Sequence, residues 1–369
     1  MQLLPEGSLR ASAVSSGNSV LLFEGGEALR YNEDSRRSGT DGVLRVLHAL
    51  QMHHDEPSPP HNPFMTPDTF TYSETIREIN GLRLQMVIAG EAGRPLVILL
   101  HGFPDLWPGW HFQIPVLVAA GFRVIAPNQR GYGKSDKPSG IAPYDLDQLA
   151  NDVAAIADSE SAKTFHLVGH DWGGIVAWWV AVKHAARVSR LVILNAPHPG
   201  VFQAYLLRNP RQILRSWYVG LFQLPWLPEA ILSAGNYELL FQSDKRTSLP
   251  GTFDQSDRRY LVAGWSEKQS LTSMLNYYRA IARRSSASLQ SRISVPTLIQ
   301  FGDNDPTEEP GLAEASLAEC DNGRLIWLEG ARHWVQREEA KRVTENICQF
   351  LAASSDQLDC CSSIRNVKV

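Results

Sequence analysis

This 369-residue sequence predicts an α/β fold, an eight-stranded, mostly parallel sheet with an inserted helical cap, and three observations carry the prediction. β-branched apolar runs recur along the chain, with helix-length amphipathic segments between most of the later ones, which is how a parallel sheet covered on both faces reads. That rhythm breaks over residues 199–292, where the pattern turns helical, rich in Trp, Tyr, Leu and Phe, with no strand signal. Finally, Phe165-His166-Leu167-Val168 leads through Gly169-His170-Asp171-Trp172-Gly173-Gly174 into an apolar helical stretch. Small residues in such a strand-to-helix bend permit positive φ and close backbone approach.

Taken in order, residues 1–64 are rich in Ser, Gly, Arg and His, hold only short apolar runs, and end in Pro57-Ser58-Pro59-Pro60-His61-Asn62-Pro63, the composition of a poorly ordered extension. His53, His54 and His61 have nothing of defined geometry beside them and read as linker rather than metal ligands. The core is expected over 65–198 and 293–353. Its strands fall at Ile76 to Ile79, Leu82 to Val87, Leu96 to Leu100, Phe122 to Ala126, Phe165 to Val168 and Leu191 to Leu194, with two more beginning at Thr297 and Leu325. Helices are expected at Leu146 to Ala157, Ile175 to Ala186 and Gln336 to Leu351. A cap inserted after the strand at Leu191 closes over the carboxyl ends of the strands, where such sheets bind ligands. Taken one at a time, most of Trp217, Phe222, Trp226, Tyr277 and Tyr278 read as the cap's own core rather than as pocket lining. Residues 354–369 form a polar tail.

Composition excludes several classes. The net charge is -4, without a lysine or arginine run to neutralise phosphates, so nucleic acid is not an expected partner. No secretory signal and no membrane-spanning window is present, and the chain is read as cytoplasmic. Cys320, Cys348, Cys360 and Cys361 lack metal-ligand spacing, and the Cys360-Cys361 pair is not read as a lipidation site. No metal or organic cofactor is expected, and a homo-oligomer is compatible with the sequence.

The chemistry starts at the bend, where the residue presented outward is Asp171. A carboxylate nucleophile forms an alkyl ester by attacking saturated carbon, so the chain is expected to open a strained or activated carbon centre. The strand at Thr297 ends in Gly302-Asp303-Asn304-Asp305 and the strand at Leu325 in Ala331-Arg332-His333-Trp334, so acid and histidine follow the nucleophile, each beyond a strand. His333 is read as the base that activates water, and Asp305 as the carboxylate that orients it, with Asp303 on the same loop a competitor. The loop His101-Gly102-Phe103-Pro104-Asp105 fits an oxyanion hole, made by the amides of Phe103 and Trp172. His101, Pro104 and Trp334 are read as substrate-pocket residues. No G-x-S-x-G occurs, and Gly131-Tyr132-Gly133-Lys134-Ser135 is neither a serine elbow nor a dinucleotide loop.

With these motifs, the cap segment Ser216-Trp217-Tyr218 followed by Phe222-Gln223, and Asn276-Tyr277-Tyr278-Arg279, residues 70–352 resemble the α/β-hydrolase-fold epoxide hydrolases. The resemblance implies that Tyr218 and Tyr278 donate protons to an epoxide oxygen as the ring opens, with Tyr277 the alternative for the second donor. It further implies a small apolar epoxide and water as substrates, a vicinal diol as product, and a cis Phe103-Pro104 bond. The first two motifs are shared with haloalkane dehalogenases, so a haloalkane or haloacid dehalogenase using the same aspartate is the alternative, and a non-catalytic binder of small ligands a further one. Two positions depart from the commonest family pattern: Asn128, where an acidic residue is frequent, and Arg332, where glycine is usual.

Overall fold

The structure, a computed structural model, describes residues 19–24, 27–32, 72–206, 208–285, 289 and 291–353. Ser19–Glu24 and Glu27–Asn32 pair as an antiparallel hairpin inside a unit of their own, Met1–His61. The reading of the extension did not anticipate this hairpin. The rest of the extension, including His53, His54 and His61, and the tail with Cys360 and Cys361 lie outside the described residues.

In the second unit all eight expected strands form one sheet. They are β1 (Tyr72–Ile79), β2 (Leu82–Ala89), β3 (Leu96–Leu100), β4 (Arg123–Pro127), β5 (Phe165–His170), β6 (Val188–Leu194), β7 (Thr297–Gly302) and β8 (Gly323–Leu328). Their spatial order is β8-β7-β6-β5-β3-β4-β2-β1, and only β2 runs antiparallel to its neighbours. Successive residues alternate between two cores. Leu96, Ile98 and Leu100 of β3 belong to one and Val97 and Leu99 to the other, so both faces are covered and the strand reads as a continuous apolar run.

The core helices are α1 (Gln113–Ala119), α2 (Leu146–Ser159) and α3 (Trp172–Lys183). The cap helices are α4 (Pro199–Leu206), α5 (Pro210–Arg215), α6 (Trp217–Leu221), α7 (Leu227–Thr247), α8 (Gln255–Trp265) and α9 (Ser270–Ile281). After the cap come α10 (Gly311–Ala318), α11 (Val335–Glu338) and α12 (Ala340–Ala352). The single helix expected from Gln336 to Leu351 is therefore two. α7 is also broken: Ala234 to Tyr237 leave helical geometry, with Gly235, Asn236 and Tyr237 at positive φ. Glycine and asparagine enter that region at least cost.

The cap's aromatics divide. Phe222, Tyr277 and Tyr278 are buried, but Trp217 and Trp226 are 66 % and 73 % exposed, against the expectation that they pack inside the cap. Composition marks a helix as aromatic without fixing which face it buries.

Candidate active site

The carboxyl ends of β3, β5, β6 and β7, with the loop after β8, bring the site together. β5 runs into α3 through Asp171, which alone in the bend takes a positive φ, 49°. The surrounding glycines serve close approach instead: a Cβ on Gly169 would overlap the Gly173 carbonyl, one on Gly173 the Leu100 carbonyl, and one on Gly102 the side chain of Asp171. Backbone sterics thus push the Asp171 carboxylate out of the bend and against the loop after β3.

Two groups converge on that carboxylate. The Phe103 amide donates to Oδ1 at 2.7 Å, and His333 Nε2 lies 3.6 Å from Oδ2. The Asp171 side chain keeps 17 % of its accessible surface, so a small molecule can reach it. The Phe103-Pro104 bond is cis. Trp172 is buried beside Tyr278, with ring centroids 4.8 Å apart.

His333 Nδ1 lies 2.8 Å from Asp305 Oδ2. Asp305 is saturated with donors: Asn195 Nδ2 reaches Oδ2 at 2.7 Å, while the Thr307 amide and hydroxyl reach Oδ1 at 2.7 and 2.6 Å. Burial alone would raise its pKa, but the His333 charge and these hydrogen bonds win and hold it at about 2. Asp303, by contrast, is exposed and accepts from the Gly330 amide at 2.8 Å, a turn-closing bond away from the histidine. For His333, burial disfavours the imidazolium, yet Asp305 and Asp171 outweigh it and raise its pKa well above the usual value. The Asp171 carboxyl is held low against its own burial, chiefly by His333.

Above the carboxylate, Tyr278 packs edge-on to Phe103 at 5.3 Å and lies 6.1 Å from the Tyr218 ring. Burial, reinforced by Asp171 and by one another or nearby carboxylates, raises both phenols, so both are neutral hydroxyls at ordinary pH. The Tyr277 hydroxyl instead donates to the Arg130 carbonyl at 2.8 Å. The pocket residues read from the sequence separate. His101 has Nδ1 2.9 Å from the Gly102 carbonyl and accepts the Gln129 amide at Nε2, 3.1 Å away, and burial pulls its pKa to about 4, so it holds the loop. The Pro104 carbonyl accepts from Trp265 Nε1 at 2.6 Å. Trp334 is buried behind His333 and donates to Thr247 at 2.9 Å.

Other supporting residues escaped the sequence reading. Asn195 follows β6 and also accepts the Gly302 amide at 3.1 Å, bridging β6 to the Asp305 loop. Thr307 stands two residues after Asp305, the spacing of an Asx turn, which was a readable signal. His170 has Nε2 2.9 Å from the His333 carbonyl and Nδ1 3.1 Å from Gln336 Nε2, so a donor on Gln336 fixes His170 as the Nε2–H tautomer. Of the two departures, Asn128 accepts the Trp107 amide at 2.8 Å and donates to Gln85 at 2.7 Å, two roles that an amide fills at once. Arg332 reaches the cap, donating to the Ser248 carbonyl at 2.9 Å. Among the described residues no group of His, Cys, Asp and Glu could hold a metal ion, and no helix is long and apolar enough to cross a membrane.

Comparison with known proteins places the chain in a family. A family described as alpha/beta hydrolase fold matches residues 95–340. The AB hydrolase superfamily protein YfhM of Bacillus subtilis (strain 168) is 39 % identical over 272 residues, 74 % of this chain and 95 % of that one. Epoxide hydrolase 4 of Homo sapiens is 36 % identical over 76 % of this chain and 78 % of its own. Epoxide hydrolase A of Mycobacterium tuberculosis (strain ATCC 25618 / H37Rv) is 32 % identical over 76 % and 97 %. Among solved structures, a Bacillus megaterium epoxide hydrolase in complex with an inhibitor superposes with a TM-score of 0.68 at 28 % identity, covering 76 % of this chain and all (100 %) of that one.

Proposed function

The chain belongs to the α/β-hydrolase-fold epoxide hydrolases, and from that premise we propose that it converts an epoxide and water to a vicinal diol through a covalent hydroxyalkyl ester on Asp171. One observation carries the reading: the Phe103 amide and His333 address opposite oxygens of the Asp171 carboxylate, beneath the hydroxyl-bearing rings of Tyr218 and Tyr278.

The amide fixes Oδ1, which leaves Oδ2 to attack a ring carbon. The new Oδ2–C bond forms as the ring C–O bond breaks, and the departing oxygen takes a proton from Tyr218 or Tyr278, both neutral and able to donate. Esterification removes the Asp171 charge. His333 then loses one of the two anions that raise its pKa, so it gives up its proton, which restores the phenolate left on Tyr218 or Tyr278, and becomes a base when one is needed. It takes a proton from water, whose oxygen attacks the Asp171 carboxyl carbon. Oδ1 becomes the oxyanion, held by the amides of Phe103 and Trp172. On collapse the leaving oxygen takes a proton from the His333 imidazolium and departs as the diol, the new Asp171 carboxyl returns its proton to His333, and Asp305 stabilises the imidazolium whenever it forms.

A single turnover in ¹⁸O-water tests the scheme. Label is expected in Asp171 before it reaches the diol; label entering the diol directly would overturn the ester. Bromide release from a short bromoalkane without diol formation from an epoxide would move the chemistry to halide displacement.

A further inference from the structure

We infer that the outer face of the cap between Arg208 and Ile231 is a docking surface for an anionic lipid bilayer. The inference is independent of the ester mechanism. α5 and α6 are separated by Ser216 alone, so Ile213, Leu214 and Trp217, at spacings of three and four, lie along one side. Leu214 is 74 % exposed and Trp217 66 %. The opposite side is committed inward: Gln212 is buried and donates to the Thr307 carbonyl at 2.9 Å, and the Tyr218 and Phe222 rings pack toward Tyr278. The chain continues outward through Leu224 and Pro225 to Trp226, exposed to 73 % and held at φ 55°, beside a groove of about 580 Å³ that Arg283 helps to line.

Charge selects the occupant. Arg208, Arg211 and Arg283 are exposed and make no ion pair among the described residues. From 208 to 233 the only carboxylate is Glu229, and Arg279 engages it at 2.8 Å. A second copy of this face would bring unpaired arginines against their own equivalents. An anionic headgroup layer complements them, while exposed tryptophans sit well at a bilayer interface, with the ring among acyl chains and the indole N–H in the wet layer. Trp217 adjoins Tyr218, whose ring packs toward Tyr278, so the surface is carried by the same short helix that presents a candidate donor to the site.

The test is co-sedimentation of the full chain with vesicles of phosphatidylcholine alone or with three parts in ten phosphatidylglycerol, alongside analytical ultracentrifugation without lipid. The chain is expected to pellet with the anionic vesicles, and less so as salt rises. Trp217→Ser/Trp226→Ser should weaken vesicle affinity at least tenfold while leaving turnover of a water-soluble epoxide unchanged. Arg208→Glu/Arg211→Glu should abolish the preference for anionic lipid. Absence of pelleting, pelleting untouched by both double substitutions, or self-association lost in the tryptophan variant with no vesicle binding would each overturn the proposal.

Discussion

Asp305 and Asp105 are both buried carboxylates within one protein, yet folding shifts their pKa values in opposite directions. Asp305 accepts from Asn195, Thr307 and His333 and is held at about 2. Asp105, after the cis-proline loop, has no hydrogen bond of ordinary geometry on either side-chain oxygen, and burial, only partly offset by the Arg337 charge and the Leu106 amide, raises it to about 6. Arg337 lies 3.6 Å away, too far for a hydrogen bond, and is engaged with Asp257 at 2.9 Å. Asp244, from the cap, joins the same cluster and is raised further, with burial the largest cause and Asp105 adding to it. Burial penalises both charges alike. The difference is the number of donors aimed at the oxygens, which is what separates a carboxylate held low enough to steady an imidazolium from one whose pKa burial raises.

The largest expected effect breaks the pair by neutralisation. Asp305→Asn should lower turnover by roughly 10³–10⁴-fold, by analogy with loss of the orienting carboxylate in other triads, and the ester on Asp171 should accumulate, visible as added mass on the intact protein. Asp105→Asn should leave turnover within a few-fold, because that carboxyl touches neither His333 nor Asp171. If Asp105→Asn were the more damaging, the contrast in donors would not be what divides the two sites.

The next effect is on stability, and the two groups pull in opposite directions with pH. The Asp105 pKa rises from 3.8 to about 6 on folding, so its contribution is complete below 3.8 and is lost as pH climbs through about 6, by about 3 kcal/mol. The Asp305 pKa falls from 3.8 to about 2, so its contribution is present above 3.8 and is lost as pH falls through about 2, by about 2 kcal/mol. Urea unfolding between pH 4 and 8 should show the first loss in wild type and much less of it in Asp105→Asn. An unchanged slope in that variant would assign the loss to another group.

The same contrast explains what the sequence revealed. Strand positions were legible because a period of two between two apolar cores leaves continuous runs such as Leu96 to Leu100. The short α1 was not among the expected helices; it carries Pro115 in its first turn, where proline is tolerated. Asp171, Asp305 and His333 were legible as a set from chain order and strand ends, and the structure brings these three together. The Asx-turn spacing from Asp305 to Thr307 was the one local hint that separates Asp305 from Asp303; the decision itself rests with Asn195 and His333, 110 and 28 residues from Asp305. The Asp105 cluster was invisible for the same reason: its partners come from α7, α8 and α11, distant segments that only the fold unites.

The smallest expected effect concerns His170, which belongs with Asp305 in being fully satisfied. Its ring lies 4.9 Å from that of His333, and burial together with the His333 charge lowers its pKa to about 3, so it stays neutral and keeps one tautomer. Its Nε2–H fixes the His333 carbonyl, hence the backbone from which the imidazole projects. Asp171 owes its own position to the bend and the glycines around it. His170→Phe preserves an aromatic ring but leaves the carbonyl and Gln336 without their partner, at a cost of about 1–2 kcal/mol in stability. Stopped-flow measurement should then find ester formation at the wild-type rate and ester hydrolysis slowed a few-fold, because only the second step needs the histidine aimed at water. An equal slowing of both steps would mean that His170 supports the bend as a whole and has no separate hold on His333.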